Sequence, residues 1–210
     1  MAAKKPDLAA AYALQTPQDS VDLYRKWATT YDEDFAKAND YRNPQLIAEL
    51  FATGSDNDVP VLDVGAGTGL VGEALSTHGV TPIDALDISV EMLEVAMSKG
   101  CYRSAIQADL TGHINVDSGI YGGVISVGTF THGHVGPEAI DELLRVACCG
   151  ALFALGINAK VFESAGFAAK FAALEDSIRD FRLVETRGYG AKADAELKKT
   201  RSTVALFRKK

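Results

Sequence analysis

The chain has 210 residues, 47% apolar and 23% charged, and its 21 Lys and Arg against 28 Asp and Glu leave a net charge of −7. That size fits one domain with a sizeable buried core. The acidic balance argues against nucleic acid as a partner, because phosphate contacts rely on clustered basic side chains.

Cys101, Cys148 and Cys149 have neither zinc-ribbon nor redox spacing, and they read as free thiols in a reducing cytoplasm. The longest apolar run, Val146 to Ile157, is too short to span a bilayer. Lys4 and Lys5 are followed at once by Pro6 and Asp7, so no signal core develops, and neither export nor a membrane partner is expected.

Residues 1–15 are Ala-rich without a period and read as a flexible N-terminal arm. Thr16-Pro17-Gln18-Asp19 marks a helix start: Thr16 can cap, Pro17 suits the first position and Asp19 favours the positive end of the helix dipole. Val21, Tyr24, Ala28, Tyr31 and Phe35 follow at spacings of three and four, one face of an amphipathic helix. A second helix is predicted over Pro44–Ala52, then a polar loop.

From Val59 short apolar runs alternate with helices. Strands are expected at Val59–Val64, Pro82–Leu86, Tyr102–Gln107, Gly122–Val127 and Ala151–Ile157. The intervening helices run over Thr68–His78, from the Ser89 cap to Lys99, and over Pro137–Ala147. Helical segments fill 159–177, and Phe181–Thr186 and Thr203–Arg208 close the sheet. This alternation implies a doubly wound, mostly parallel seven-stranded sheet with helices on both faces, whose ligands bind beyond the carboxyl ends of the strands.

The first strand ends in Leu62-Asp63-Val64-Gly65-Ala66-Gly67-Thr68-Gly69. Alternating glycines let the backbone turn sharply and approach a ligand, and the next helix offers free N–H groups at its start. Gly67-Thr68-Gly69-Leu70-Val71-Gly72 is also a literal dinucleotide fingerprint, which keeps an NAD-dependent oxidoreductase open as an alternative. Asp63 weighs against it: a carboxylate there would repel a pyrophosphate but suits the α-ammonium of S-adenosylmethionine (SAM). Asp87, at the end of the second strand, can accept both ribose hydroxyls in either reading. Asp109 can accept from the adenine amine and the Leu110 N–H can donate to the ring, with Ile88 and Met92 sandwiching the base.

On Leu62–Gly69, Asp87-Ile88-Ser89 and Met92-Leu93 the chain resembles the class I SAM-dependent methyltransferases. Over Tyr24–Asp32, Tyr41-Arg42, Val127–Glu138 and Asn158–Phe167 it is similar to small methyltransferase-like proteins of the Williams–Beuren syndrome region type. One departure is visible: Ala147-Cys148-Cys149-Gly150 stands where the family carries a Pro-Gly-Gly turn. The resemblance implies a Rossmann-like methyltransferase fold over 16–210, divided into an N-terminal helical lid (16–55) and an α/β core (59–210). It implies a cofactor site of Tyr31, Asp63, Gly65, Ala66, Gly67, Thr68, Gly69, Asp87, Ile88, Met92, Asp109, Leu110 and Val127.

Methyl transfer needs a positioned acceptor and a dry site more than an acid–base triad. Family members place acceptor contacts in the loop after the fourth strand, here Gly128–His134. Tyr31, His132 and His134 are the expected catalytic residues, Phe130 keeps the site dry, and Asn158, Arg187 and Tyr189 are further candidates for the pocket wall. No third ligand accompanies the two histidines, so no metal is expected. The expected activity is methyl transfer from SAM to a small molecule, releasing S-adenosylhomocysteine (SAH). A non-catalytic SAM-binding regulator is the other alternative, because the family's acidic motif after the fourth strand is missing.

Overall fold

The computed structural model describes residues 10–11, 13–14, 16–55 and 59–210. Most of the arm expected over 1–15 lies outside the described residues, though Ala11 and Leu14 are described and buried.

Helix α1 (Pro17–Trp27) starts at the expected Thr16 cap, which Asp19 completes as a capping box. The Asp19 N–H donates to Thr16 Oγ1 at 3.2 Å, and the Thr16 N–H donates back to Asp19 Oδ2 at 3.0 Å. After Trp27 the chain turns and re-forms as a π-helical segment, Asp32–Lys37. The wider turn breaks the expected single stripe. Trp27, Ala28, Phe35 and Ala36 are buried, while Tyr24 and Tyr31 are only half-buried. Helix α2 (Asn43–Ala52) then packs Ile47, Ala48 and Phe51 onto the sheet.

The sheet has strands β1 (Val61–Val64), β2 (Ile83–Asp87), β3 (Ser104–Gln107), β4 (Tyr121–Phe130), β5 (Ala147–Asn158), β6 (Ile178–Thr186) and β7 (Ser202–Lys209). Their order is β3-β2-β1-β4-β5-β7-β6, parallel as far as β5, with β7 antiparallel to both of its neighbours. Helices α3 (Leu70–Thr77) and α4 (Val90–Ser98) cover one face together with α2. Helices α5 (Ala139–Val146), α6 (Ala159–Ser164) and α7 (Phe167–Ala173) cover the other. β1 is buried along its whole length, Asp63 included, as cover on both faces of the sheet requires.

Two local expectations are corrected. No loop separates α5 from β5: Ala147 already pairs with Tyr121, and Cys148–Ala151 are taken up in a register shift before Leu152 pairs with Gly123. A short helix α8 (Ala195–Lys199), capped by Asp194, stands where none is predicted.

Strand order reverses beside β1, which has β2 on one side and β4 on the other. The crevice beyond their carboxyl ends is where a ligand binds in this architecture.

Candidate functional site

The loop leaving β1 holds Gly65, Gly67 and Gly69 at φ of 67°, 55° and 87°, in the left-handed region that glycine enters without a Cβ penalty. At Gly65 a side chain is also excluded by a neighbour, since a Cβ there would lie 2.0 Å from Thr129 Oγ1. At Gly67 a Cβ would meet no protein atom within 4 Å, and the residue lines an open cleft. The backbone here is bare toward a ligand.

Asp87, at the end of the neighbouring strand β2, fixes this loop. Its Oδ2 accepts the Gly67 N–H at 2.8 Å and its Oδ1 the Ser89 N–H at 2.9 Å. Burial raises its pKa, although those N–H groups pull the other way. Each carboxylate oxygen keeps a second acceptor site for a ligand hydroxyl.

The cleft has a volume of about 320 Å³. Of the residues expected at the cofactor, Tyr31, Gly65, Ala66, Gly67, Thr68, Asp87, Ile88, Met92, Asp109, Leu110 and Val127 line it. Asp109 also fixes its own turn, accepting the N–H and hydroxyl of Thr111, both at 2.8 Å.

Asp63 and Gly69 do not line the cleft. Asp63 is fully buried behind the loop, where Tyr102 donates its hydroxyl to Oδ2 at 2.6 Å and Oδ1 makes no hydrogen bond. Burial pushes its carboxyl up to about 7, against the pull of the Tyr102 hydroxyl. The same hydroxyl accepts the Gly72 N–H at 3.0 Å, so Tyr102 ties the end of β1 to the first turn of α3.

On the other side of the cleft, the loop after β4 meets the N-terminal helical segment. His134 Nδ1 lies 2.8 Å from the His132 carbonyl, and Nε2 lies 2.9 Å from the Tyr24 hydroxyl. A carbonyl only accepts, so Nδ1 carries the proton and Nε2 accepts from Tyr24. Burial lowers the His134 pKa and keeps the ring neutral near pH 7. Tyr31 and His134 line the cleft, whereas His132 does not and serves through its carbonyl.

A smaller chamber of about 70 Å³ adjoins the cleft and shares Tyr24, Tyr31, Tyr41, Val127, Gly128 and His134 with it. Phe130, Asn158 and Tyr189 line this chamber, while Arg187 does not and is exposed.

The sequence reading missed an electrostatic clasp. Asp32 accepts the Thr68 hydroxyl at 2.5 Å and the Lys99 ammonium at 2.7 Å, and Lys99 also bonds Glu73 at 2.6 Å. These partners lie far apart in the chain, and no local pattern announces them. Tyr24 was legible as an aromatic on a helix, but its pairing with His134 was not.

Residues 61–150 match the family model of the methyltransferase domain. Over that segment the chain is similar to the class I SAM-dependent methyltransferases. Human methyltransferase-like protein 27 is 31% identical over 138 residues, 64% of this chain and 56% of that protein. The Arabidopsis thaliana 18S rRNA (guanine-N(7))-methyltransferase RID2 is 40% identical over 81 residues, 38% of this chain and 27% of that one. The chain thus spans little more than half the length of the first relative and about a quarter of the second. Among solved structures, the cyclase SpnF superposes with a TM-score of 0.69 at 15% identity, over 94% of this chain and 97% of that one, a likeness of fold. No helix among the described residues is long and apolar enough to cross a membrane.

The cleft fits SAM. It has a bare backbone at Gly67, an acid facing it in Asp87, an apolar wall of Ile88, Met92 and Leu110, and a polar end at Asp109.

Proposed function

We propose that this protein transfers a methyl group from SAM to a small-molecule acceptor held between the N-terminal helical segment and the loop after β4. The observation that carries this reading is the chamber of about 70 Å³ that shares a wall with the cofactor cleft and has no Lys or Arg in its lining, among the described residues. A nucleic-acid acceptor calls for an open basic approach, and the net charge of −7 works against RNA of the kind named in the plant relative. Three free cysteines suit a cytoplasmic setting.

In this reading SAM supplies an electrophilic methyl, and the protein's part is to place, dry and deprotonate. Asp87 holds the ribose, Asp109 and Leu110 the adenine edge, and the Gly65–Gly69 backbone comes close to the ligand. Residues 16–55 act as a lid, with Tyr31 over the cofactor. Neutral His134 takes up a proton that the acceptor releases, directly or through the Tyr24 hydroxyl.

Calorimetry with SAH and NAD tests the cofactor. SAH is expected to bind in the micromolar range and NAD far more weakly, and the reverse order would overturn the assignment in favour of an oxidoreductase. Turnover of SAM to SAH with a pool of small metabolites tests catalysis, and its absence with every acceptor would favour the regulatory alternative.

A further inference from the structure

The chamber beside the cleft has a consistent chemistry. Phe35 and Tyr189 line it and not the cleft, and Tyr41 lines both. These three rings touch one another, with centroids 5.5 Å apart for Phe35–Tyr41, 5.2 Å for Tyr41–Tyr189 and 6.3 Å for Phe35–Tyr189. The Asn43 amide in the same wall is already committed: Nδ2 donates to Ser202 Oγ at 2.8 Å, and Oδ1 accepts from the Thr186 hydroxyl at 2.9 Å. Asn158 Oδ1 likewise accepts the Lys160 N–H at 3.0 Å.

No Lys, Arg, Asp or Glu lines the chamber, among the described residues. His134, at the shared wall, is a neutral ring whose Nε2 accepts from Tyr24. An anion entering here would be desolvated with no counter-charge from the protein, which is prohibitive in the free and the SAH-loaded protein. A cation would find ring faces but no carboxylate. In the methyltransferase reading it would also sit beside the cofactor's sulfonium charge and be repelled. A flat, uncharged ring satisfies the walls by stacking or edge contact and brings no charge to be compensated.

We infer that the chamber binds a small, uncharged aromatic molecule as the methyl acceptor, gripped by Phe35, Tyr41 and Tyr189, with its reactive N–H or O–H turned toward Tyr24 and His134. The acceptor role rests on the methyltransferase reading, whereas the ring-binding chamber stands without it.

The test uses the full chain. SAH binding is measured first by calorimetry, and its failure would sink the methyltransferase reading alone. Phenol, cyclohexanol, benzoate and tetramethylammonium are then titrated into the free and the SAH-loaded protein and followed by ligand-observed NMR. Phenol is expected to bind several-fold more tightly than cyclohexanol and at least about tenfold more tightly than either ion, the loss expected of an uncompensated charge.

Two variants place the site. Thr200 lines the chamber and not the cleft, so Thr200→Trp fills it and removes phenol binding while SAH binding stays. Tyr189→Leu lowers phenol affinity several-fold and leaves cyclohexanol unchanged. Benzoate or tetramethylammonium binding as tightly as phenol, or phenol affinity that survives both substitutions, overturns the inference.

Discussion

Asp63 is the residue whose chemistry departs furthest from what its position in the sequence implies. An acid two residues before a glycine loop reads as a ligand contact, yet here it closes a buried hydrogen bond with Tyr102. Its pKa of about 7 in the fold compares with about 3.9 in an unfolded chain. Between those values the folded state binds the proton and the unfolded state does not. The Asp63 contribution to stability is therefore full below about pH 4 and is lost as pH rises through 7. Asp63→Asn keeps a neutral side chain throughout. In urea titrations across pH, its stability relative to the parent is expected to be flat in acid and to rise by a few kcal/mol between pH 4 and 8. A constant difference across that range would show that Asp63 does not titrate there.

Asp87 acts oppositely, facing both the loop and the cleft. Asp87→Ala should cost roughly 2–4 kcal/mol of SAH binding, since it removes a charged acceptor for two hydroxyls and unpins the Gly67 N–H. Calorimetry on a variant shown folded by circular dichroism reads this, and unchanged affinity would reduce Asp87 to a cap for Ser89.

At the scale of elements, the joints decide behaviour more than the elements themselves. The clasp from Asp32 to Thr68 and Lys99 joins the proposed lid to the glycine loop and to the end of α4. The Lys99 and Asp32 side chains keep only 15% and 28% of their exposure, so this pair is shielded from solvent better than the exposed lid pair Lys37–Glu33. Asp32→Asn is expected to weaken SAH binding by about 1–2 kcal/mol, mainly through faster dissociation in stopped-flow traces, with little change in melting temperature. Unchanged dissociation would mean that the segment does not gate the cleft.

These joints also mark the limit of what the sequence discloses. The cap at Thr16 and Asp19, the glycine loop and the strand–helix alternation were legible because each is a pattern within a few residues. The π-helical turn was not, because the period of apolar residues runs on through it while the backbone changes pitch. Tyr24 and His134 lie 110 positions apart, and Lys99 and Asp32 lie 67 apart. Such pairings arise from the docking of the helical segment over the sheet, which no local window contains. Gly69 was grouped with the ligand-facing glycines by spacing, but its missing Cβ leaves room for Tyr102 and Ala96 instead.

For the whole molecule, ligand binding and folding are linked, since a cleft formed by β1, β2, β4 and the N-terminal segment does not exist in the unfolded chain. SAH at about a hundredfold excess over its Kd should stabilise the fold by about 2.7 kcal/mol. For a domain of this size that corresponds to a rise in melting temperature of roughly 5–10 °C. Differential scanning calorimetry reads it, with NAD at equal concentration giving the smaller shift. An equal shift from both would speak against a SAM-selective cleft.

Strand β7, the last strand in chain order, is inserted between β5 and β6 rather than added at an edge. Its residues Val204 to Phe207 are buried and complete the core on both faces of the sheet. As the chain is made from its N-terminal end, β5 offers an open apolar edge and β6 has no partner until β7 arrives. The final strand therefore works as a keystone: the parallel half can pair as it emerges, but the antiparallel half closes in one late step. A nascent chain halted before Ser202 is left with an unprotected strand edge open to pairing with a neighbour.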